Sequence, residues 1–291
     1  MKNYLTDFFD EFNYKTEDSS FLMDIYESIL GDTESLDALN LAIKMYDDNI
    51  FCDYEKITRL SSIPAKRLYF HEYSTELLFL ICLTKRAKEN YMAAGISEQI
   101  YHDSMLDLKY KMIECKLVKG VIGTFVGFWF YDMFRLKRFT FGRLQCLVKD
   151  FEEQYTKNGI TLLPDTKVID MHIPRDETPL DEESCTASLR AAAEFFKGQY
   201  DTPVACVCHS WLLFPENDNI IPKHTNIYKF FKRFDIVSWG YYKENEDLWR
   251  LFDTDEKVPE RLPANNSVRR QFVEHLKNGG KTGWGYGVFF L

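Results

Sequence analysis

The sequence contains no apolar run long enough to cross a bilayer. Its most apolar stretch, residues 120–131, is bounded by Lys119 and Asp132, whereas a membrane-spanning helix needs about 20 apolar residues. The first residues, MKNYLTDFFDEF, carry acidic side chains and no apolar core, unlike a secretory signal peptide. We therefore expect a cytoplasmic protein that has no membrane partner.

The sequence also lacks the repeated pairs of cysteines that are typical of a metal site or a disulfide framework. The 7 cysteines are an odd number scattered along the chain, which indicates reduced thiols in the cytosol rather than a disulfide framework. Cys206 and Cys208 could share one face of a strand, but no second pair stands at ligand spacing, so we predict no metal site. A nucleophilic pair with the adjacent His209 also fails, because neighbours in a strand project to opposite faces. We expect buried free thiols.

Basic residues are too few for a nucleic-acid partner. The formal net charge is -9 and the pI is about 5.3, so the chain lacks the basic footprint that releases counterions from a duplex. The local cluster of Lys229, Lys232 and Arg233 is interpreted as a solvated face. Proline is scarce as well, because only Pro64 occurs before residue 164. We predict a loop around it, at SSIPAKR.

Apolar and aromatic residues, in contrast, are abundant. Hydrophobic residues make up 45% of the 291 residues, and aromatic residues make up 16%. Disordered chains are poor in such residues, so we predict compact order along nearly the whole chain. This length favours two domains over one.

Helical periodicity dominates more than the first third of the chain. The apolar stripes are Leu22, Ile25, Tyr26 and Ile29; Leu36, Leu39, Ile43 and Tyr46; and Tyr101, Met105, Leu108, Met112 and Cys115. Gly31 ends the first helix, a long helix should cover residues 72–94, and Ser97 is a suitable N-cap for the last helix. We also predict a helix over residues 121–135, which would join a helical half to the second half.

From Phe139 onward the period changes to two. Strands are predicted at FTFGRLQCLV, KVIDMHIP, VACVCHSWLLF, DIVSWGYY and the glycine-rich KTGWGYGVFFL, and DLWRLF adds strand material. Helices are predicted at TPLDEESCTASLRAAAEFF, NIYKFFKRF and SVRRQFVEHLKNGG, with Ser267 as an N-cap. This order indicates an α/β or α+β fold with at least one right-handed parallel crossover. We predict a helical bundle followed by a mixed β-sheet flanked by helices.

Two histidines lie near the ends of the two strands that the crossover connects. His172 ends KVIDMH, and His209 interrupts the apolar ACVCHSWLL. The chemistry of such a unit usually lies beyond the carboxyl ends of its strands. An imidazole there could act as a general base at neutral pH. A core histidine bonded to a carbonyl, with Ser210 satisfied likewise, would explain the same pattern, so both interpretations stay open.

The turn between these strands, IPRDETPLDEE, predicts a capped helix start with Thr178 as N-cap, followed by Pro179 and Asp181. Free N–H groups there could bind the phosphates of a cofactor. Acidic residues crowd the same end and would repel a pyrophosphate: Asp176, Glu177, Asp181, Glu182 and Glu183. Arg175 is the only nearby positive charge that could offset these acids. A helix start with a purely structural role is therefore an equal alternative to a phosphate-binding site.

Four segments together resemble a known family. These are GISEQIYHDSMLDL, FGRLQ, HIPRDETPLDEESCTASL, and VCHSWLLFP followed by TNIYKFFKRFDIV. The sequence is similar to bacterial acyltransferase-domain proteins, in which a helical N-acyltransferase N-terminal domain precedes a GCN5-related (GNAT-like) C-terminal domain. The resemblance spans nearly the whole chain, and GRLQ, HIP and HSWLL are its most specific elements. It implies a helical domain over residues 1–119 and a GNAT-like domain over residues 120–291.

The resemblance implies an acyl-CoA-dependent N-acyltransferase that uses acyl-CoA or acetyl-CoA as co-substrate and a small amine or hydroxyl as acceptor. The HIP and HSWLL strands would splay to hold the pantetheine arm, and a histidine would deprotonate the acceptor while backbone N–H groups stabilise the oxyanion. The implied catalytic residues are His209, His172 and Ser210. The implied cofactor-binding residues are Ile173, Pro174, Arg175, Trp211, Asn226, Arg143 and Gln145.

The acidic turn favours a different function. In this alternative the protein is a non-catalytic GNAT-like module that binds a ligand or a protein, and the helical half docks a partner. The polar His-Ser-Trp segment within an apolar strand favours the enzyme instead, because a buried parallel strand should be almost purely apolar.

Overall fold

The computed structural model describes residues 1–49 and 53–291. They form two compact units, Met1–Phe139 and Thr140–Leu291. The predicted fold class, a helical bundle followed by a mixed sheet with flanking helices, is confirmed. Within these described residues no helix combines the length and the apolar character that a membrane span requires.

The first unit is built from helices whose apolar faces the sequence predicts. Their bounds are α1 Lys2–Glu11, α2 Thr16–Leu30, α3 Thr33–Asn49, α4 Tyr54–Leu68, α5 Glu72–Ala93 and α6 Glu98–Lys119. The predicted stripes of α2 and α6 are buried. Helix α6 begins after Ser97, whose hydroxyl accepts a hydrogen bond from the Ile100 N–H at 3.3 Å, as the N-cap prediction requires.

The predicted loop around Pro64 is wrong, because Pro64 lies inside α4. A proline in a helix interior removes one hydrogen bond and crowds the preceding turn, at a cost of about 3 kcal/mol. Here Pro64 is buried on the same helix as Ile57 and Ala65, which are also buried. Burial of this apolar face offsets the lost hydrogen bond, which local propensity alone does not anticipate.

The predicted helix over residues 121–135 is also wrong. The chain forms a 3₁₀ turn at Gly127–Phe130 and only a short helix, α7, at Tyr131–Phe134. A side chain at Gly123 would lie 2.5 Å from the carbonyl carbon of Tyr73, and one at Gly127 would lie 2.0 Å from Glu76 Oε1. The segment therefore packs closely along α5, and the first compact unit includes it.

The second unit contains a mixed sheet and a separate hairpin. The sheet strands are β1 Phe139–Phe141, β2 Leu144–Asp150, β5 Lys167–His172, β6 Ala205–Ser210, β7 Asp235–Tyr241 and β8 Gly283–Phe290; β3 Tyr155–Lys157 and β4 Ile160–Leu162 form the hairpin. The strand order is β1-β2-β5-β6-β8-β7, and β5 and β6 are parallel, which confirms the parallel pairing that the predicted crossover requires. The predicted single strand FTFGRLQCLV is split at Gly142, which has a φ of 61°.

The helices of this unit are α8 Glu182–Phe195, α9 Asn217–Ile220, α10 Asn226–Phe231, α11 Leu248–Phe252 and α12 Ser267–Lys277. Three local predictions are corrected. Asp181, not Thr178, caps α8, and Asn266, not Ser267, caps α12. DLWRLF forms α11 rather than a strand, because Leu248 and Phe252, four residues apart, are both buried.

The glycine-rich end of the chain forms β8, as predicted. Its glycines permit close backbone contacts: a side chain at Gly285 would lie 2.0 Å from the Leu213 carbonyl oxygen. The close approach predicted for this segment is therefore confirmed, and it holds the turn after β6 against β8.

Candidate active site

Strands β5 and β6 part before they end. Their parallel pairing consists of Ile169 with Cys206 and Asp170 with Val207 within the described chain. Beyond these pairs β5 remains bonded to β2 as far as His172, and β6 remains bonded to β8 as far as Ser210. Backbone pairing between the two strands thus stops before either strand ends, and we call this unpaired stretch the slot.

Both histidines lie on one face of the sheet, beside this slot. The register places His172 across from Gln145 on β2, and His209 across from Tyr286 on β8. Because side chains alternate along a strand, His172 shares its face with Asp170, and His209 shares the same face with Val207, the partner of Asp170. The ring of His209 is exposed, and that of His172 is partly buried.

Asp170 is the most deeply buried charge on this face, at 4% exposure. Its Oδ2 atom lies 3.4 Å from Lys149 Nζ and 3.4 Å from His172 Nε2. Burial alone would raise the pKa of this carboxyl group, but the charges of His172 and Lys149 outweigh burial and lower the pKa. Asp170 is therefore an ionised carboxylate at neutral pH.

His209 packs against an aromatic ring. Its centroid is 4.7 Å from that of Trp284, with an angle of 31° between the planes. The loss of water around the ring lowers the pKa of His209, and the positive charge of Lys149 lowers it further. The imidazole is consequently neutral at pH 7 and can accept a proton.

Ser210 and Trp211 have structural contacts. The Ser210 hydroxyl accepts a hydrogen bond from the Leu212 N–H at 3.2 Å and so caps the 3₁₀ turn that follows β6. The Trp211 ring contacts Phe272 at a centroid distance of 5.9 Å, in an apolar cluster with α12. The strand ends at Ser210, so the alternation that would extend the His209 face to Trp211 stops there.

Arg143 and Gln145 support the end of β5. The Arg143 guanidinium donates to the Pro174 carbonyl at 3.0 Å, which fixes the chain just beyond His172 and Ile173. The Arg143 N–H donates to the Ser188 hydroxyl, also at 3.0 Å. Gln145 is fully buried opposite His172.

Arg175 does not compensate the acidic turn as the sequence suggested. Its guanidinium forms an ion pair with Asp253, which Arg269 also contacts at 2.6 Å. Two cations from the region of α10 lie at the start of α8 instead. Lys229 of α10 and Arg233, two residues after α10 ends, line a cavity of about 70 Å³ together with Asp181 and Asn226.

The buried thiols lie on the opposite face of the sheet. Cys146, Cys206 and Cys208 are buried, and burial raises the pKa of each, to about 12 for Cys206. Thiols of this kind are protonated at pH 7 and are poor nucleophiles. Across residues 1–49 and 53–291, no cluster of three or more His, Cys, Asp or Glu side chains is placed to hold a metal ion.

The sequence did not identify four residues that contribute to this region: Asp170, Lys149, Trp284 and Lys229. Asp170 had a usable signal, since it is an acid in an apolar strand, two residues before His172. The other three come from β2, β8 and α10, which only the sheet order and the helix packing bring near the slot or the start of α8.

Comparisons with known proteins agree with the resemblance seen in the sequence. Residues 138–289 match the family model of the GNAT-like C-terminal domain, and residues 3–136 match that of the N-acyltransferase N-terminal domain. No curated protein sequence matches the chain.

Solved structures of acyltransferases share the fold. One, in complex with decanoyl-CoA and teicoplanin, superposes with a TM-score of 0.73 at 18% identity, covering 98% of this chain and 87% of that chain. An acyltransferase complex with decanoyl-CoA alone gives a TM-score of 0.68, and one with CoA and 10C-teicoplanin gives 0.73, both at 18% identity and the same coverage.

Proposed function

From the premise that the chain belongs to the family with a GNAT-like C-terminal domain, we propose that it is an acyl-CoA-dependent N-acyltransferase. The observation that carries this proposal is the parting of β5 and β6 beyond Asp170 and Val207, with His172 and His209 on one face beside the slot. The similar acyltransferase structures in complex with decanoyl-CoA and with CoA support an acyl-CoA as the co-substrate.

The proposed reaction is direct transfer to a small-molecule amine or hydroxyl. The acceptor nitrogen or oxygen attacks the thioester carbonyl, a bond to carbon forms, and the carbon–sulfur bond breaks to release the CoA thiolate. An imidazole of His172 or His209 takes the proton that the acceptor loses and can return it to the thiolate. Backbone groups of β5 and β6 that face the slot, rather than each other, can bind the pantetheine arm and the oxyanion.

The phosphates of CoA would lie near the start of α8. Helix N-termini bind anions through free N–H groups, and the cavity there combines Asn226 with the cations Lys229 and Arg233. Ile173 and Pro174 would border the arm between this cavity and His172, held by Arg143. Ser210, Arg175 and Trp211 would act indirectly, because their side chains already cap a turn, pair with Asp253 and pack on Phe272.

The proposed compartment is the cytosol. Six cysteines among the described residues lie outside any disulfide, and all six are buried, which is typical of a reducing environment. The acceptor is proposed as a small-molecule amine or hydroxyl compound.

The acidic helix start favours a second candidate function, a GNAT-like module that binds a ligand or protein without catalysis. Asp181 occupies the N-cap of α8 and accepts the Ser184 N–H at 2.8 Å, which uses one of the anion-binding groups. Glu182 and Glu183 lie in the first turn. These charges oppose a pyrophosphate, whereas Lys229 and Arg233 attract it.

Thermal unfolding with acetyl-CoA and decanoyl-CoA distinguishes the two functions. A ligand at about 100 times its dissociation constant stabilises the folded protein by about 2.7 kcal/mol, so the melting temperature should rise by several degrees. Release of free CoA thiol from decanoyl-CoA, with glucosamine as a small amine probe, then reports turnover. Absence of any shift with both thioesters would support the binding module.

Lys229→Ala tests the placement of the phosphates. Loss of one charge-assisted contact should weaken CoA binding about tenfold and reduce its dependence on salt. Lys197→Ala is the matched control, because Lys197 is exposed and pairs only with Glu194 among the described ion pairs. Equal affinities of the two variants would place the phosphates elsewhere.

A further inference from the structure

Asp170 is a buried carboxylate in the interior of the sheet. It is 4% exposed, and its Oδ1 atom is buried without a hydrogen-bond partner among the described residues. It occupies the last position at which β5 and β6 pair, so its side chain lies where the slot begins. Its other oxygen, Oδ2, lies 3.4 Å from both Lys149 Nζ and His172 Nε2.

Such a carboxylate is a poor source of stability. Removing an ion from water is costly, and replacing a buried ion pair by apolar residues is often neutral or stabilising. The neighbours Val168 and Val207 on the same face are fully buried and apolar, so an apolar side chain would suit this position. The charge at position 170 is therefore better explained by its effect on a neighbouring group.

The charged and titratable groups on this face come from four strands. They are Lys149 on β2, His172 on β5, His209 on β6 and Tyr286 on β8, with Glu152 3.6 Å from Lys149. Lys149 also lies over the Tyr286 ring at 5.1 Å. Of these groups, Lys149 and His172 contact Asp170, and of these two it is His172 whose imidazole can accept a proton from a reacting group.

We propose that Asp170 is a positioning residue for acyl transfer, which holds His172 Nε2–H toward the sheet so that Nδ1 accepts the acceptor's proton. This inference rests on the proposed function. The acceptor nitrogen forms its bond to the thioester carbon, its proton passes to Nδ1, and the electron pair of the broken carbon–sulfur bond leaves with the CoA thiolate. The proton on Nε2 stays there, and Asp170 stabilises the imidazolium as a charge partner.

The Nε2 to Oδ2 distance of 3.4 Å is long for a hydrogen bond. Catalytic hydrogen bonds commonly tighten only when the reactants are bound or the imidazole is protonated. Lys149 counters the charge of Asp170 from the other side and keeps the carboxylate ionised. Because Asp170 is buried, it cannot contact the acceptor itself and acts only through His172.

Asp170→Asn tests this role in the whole protein by ¹⁵N NMR of the histidine rings, which distinguishes a ring protonated at Nε2 from one protonated at Nδ1, with His172→Gln used to assign His172. In the wild type the His172 ring should carry its proton on Nε2, and loss of the carboxylate should weaken this preference. Turnover of decanoyl-CoA with glucosamine should fall about 100-fold. The melting temperature should stay the same or rise.

Asp150→Asn is the matched control, since Asp150 is an exposed carboxylate on β2 that pairs with Lys167 at 2.5 Å. It should leave both the tautomer of His172 and the turnover unchanged. An unchanged His172 tautomer in Asp170→Asn, with activity lost only in proportion to unfolding, would overturn the inference. If His172→Gln abolishes turnover while Asp170→Asn matches the wild type, the inference fails and the proposed function stands. Full turnover in His172→Gln would also overturn the inference, because His172 would then not be the group that accepts the proton.

Discussion

One face of the six-stranded sheet has an apolar end and a polar end. At the apolar end Val168, Val207 and Val288 are fully buried and pack with Phe151 and Leu162. At the polar end, a few residues further along β5 and β6, lie the side chains Asp170, His172 and His209. Lys149 contacts Asp170 from β2, where it stands opposite Val168. The boundary between the two ends coincides with the last pair of β5 and β6.

This coincidence shows how one sheet can serve both stability and chemistry. Where β5 and β6 pair, their backbone groups satisfy each other and the side chains need only fill space. Where the strands part, the backbone groups of β5 and β6 no longer pair with each other, and polar side chains lie on the same face. The apolar end should therefore control the free energy of unfolding, and the polar end should control turnover.

The largest effect is expected from the histidines. Replacing His172 or His209 by alanine should lower kcat/KM by about 10²- to 10⁴-fold, because a positioned general base contributes about that much. The melting temperature should change little, since His209 is exposed and His172 is partly buried. Turnover of decanoyl-CoA by each purified variant is the measurement.

His224→Ala is the control for these variants, because His224 is exposed in the segment before α10. It should retain full activity. If both His172→Ala and His209→Ala transferred acyl groups at the wild-type rate, the polar end would have no catalytic role.

The next effect concerns the apolar end. Val288→Ala removes two buried methyl groups opposite Val207, which should lower the free energy of unfolding by about 2 kcal/mol. Turnover per folded molecule should remain near that of the wild type. Urea denaturation measures the free energy of unfolding, and an assay of the active fraction measures turnover per folded molecule. If Val288→Ala lowered the specific activity as strongly as the histidine variants do, the distinction between the two ends would fail.

The smallest effect is a pH dependence of stability. Contact with Trp284 removes part of the water around the exposed His209 ring and, together with the charge of Lys149, lowers the pKa of His209 in the folded protein. The unfolded chain therefore binds the proton more readily. The resulting stabilisation is fully present above the ordinary histidine pKa of about 6.5 and is lost as the pH falls below it. The free energy of unfolding should thus fall more steeply between about pH 7 and pH 5 in the wild type than in His209→Gln. Parallel curves from urea denaturation would contradict this shift.

The helical unit was predictable where periodicity and capping act locally. Ser97 caps α6 as expected, and the stripe from Tyr101 to Cys115 is buried. The errors arose where a tertiary contact overrides local propensity. Pro64 remains in a helix because its face is buried, and residues 121–135 are mostly not helical because Gly123 and Gly127 lie against α5.

The candidate site was predictable only in part. Alternation along the two strands placed His172 and His209 near one edge, because side-chain direction in a strand is a property of sequence position alone. The sequence suggested Arg175 as the compensating cation, but its ion pair with Asp253 depends on a contact between residues far apart in the chain. For the same reason Lys229 could not be assigned to the start of α8.

The order of residues by itself determined the helical first half, the strand periodicity of the second half, the buried stripes and the two histidines near a strand edge. These features follow from interactions between residues a few positions apart, whose geometry is fixed by the repeat of a helix or a strand. Only the tertiary structure decided that β5 and β6 part after Asp170, that Lys149 and His172 share its carboxylate, and that Lys229 and Arg233 line the start of α8. Contacts of this kind join distant parts of the chain, and the packing of the whole unit selects among them.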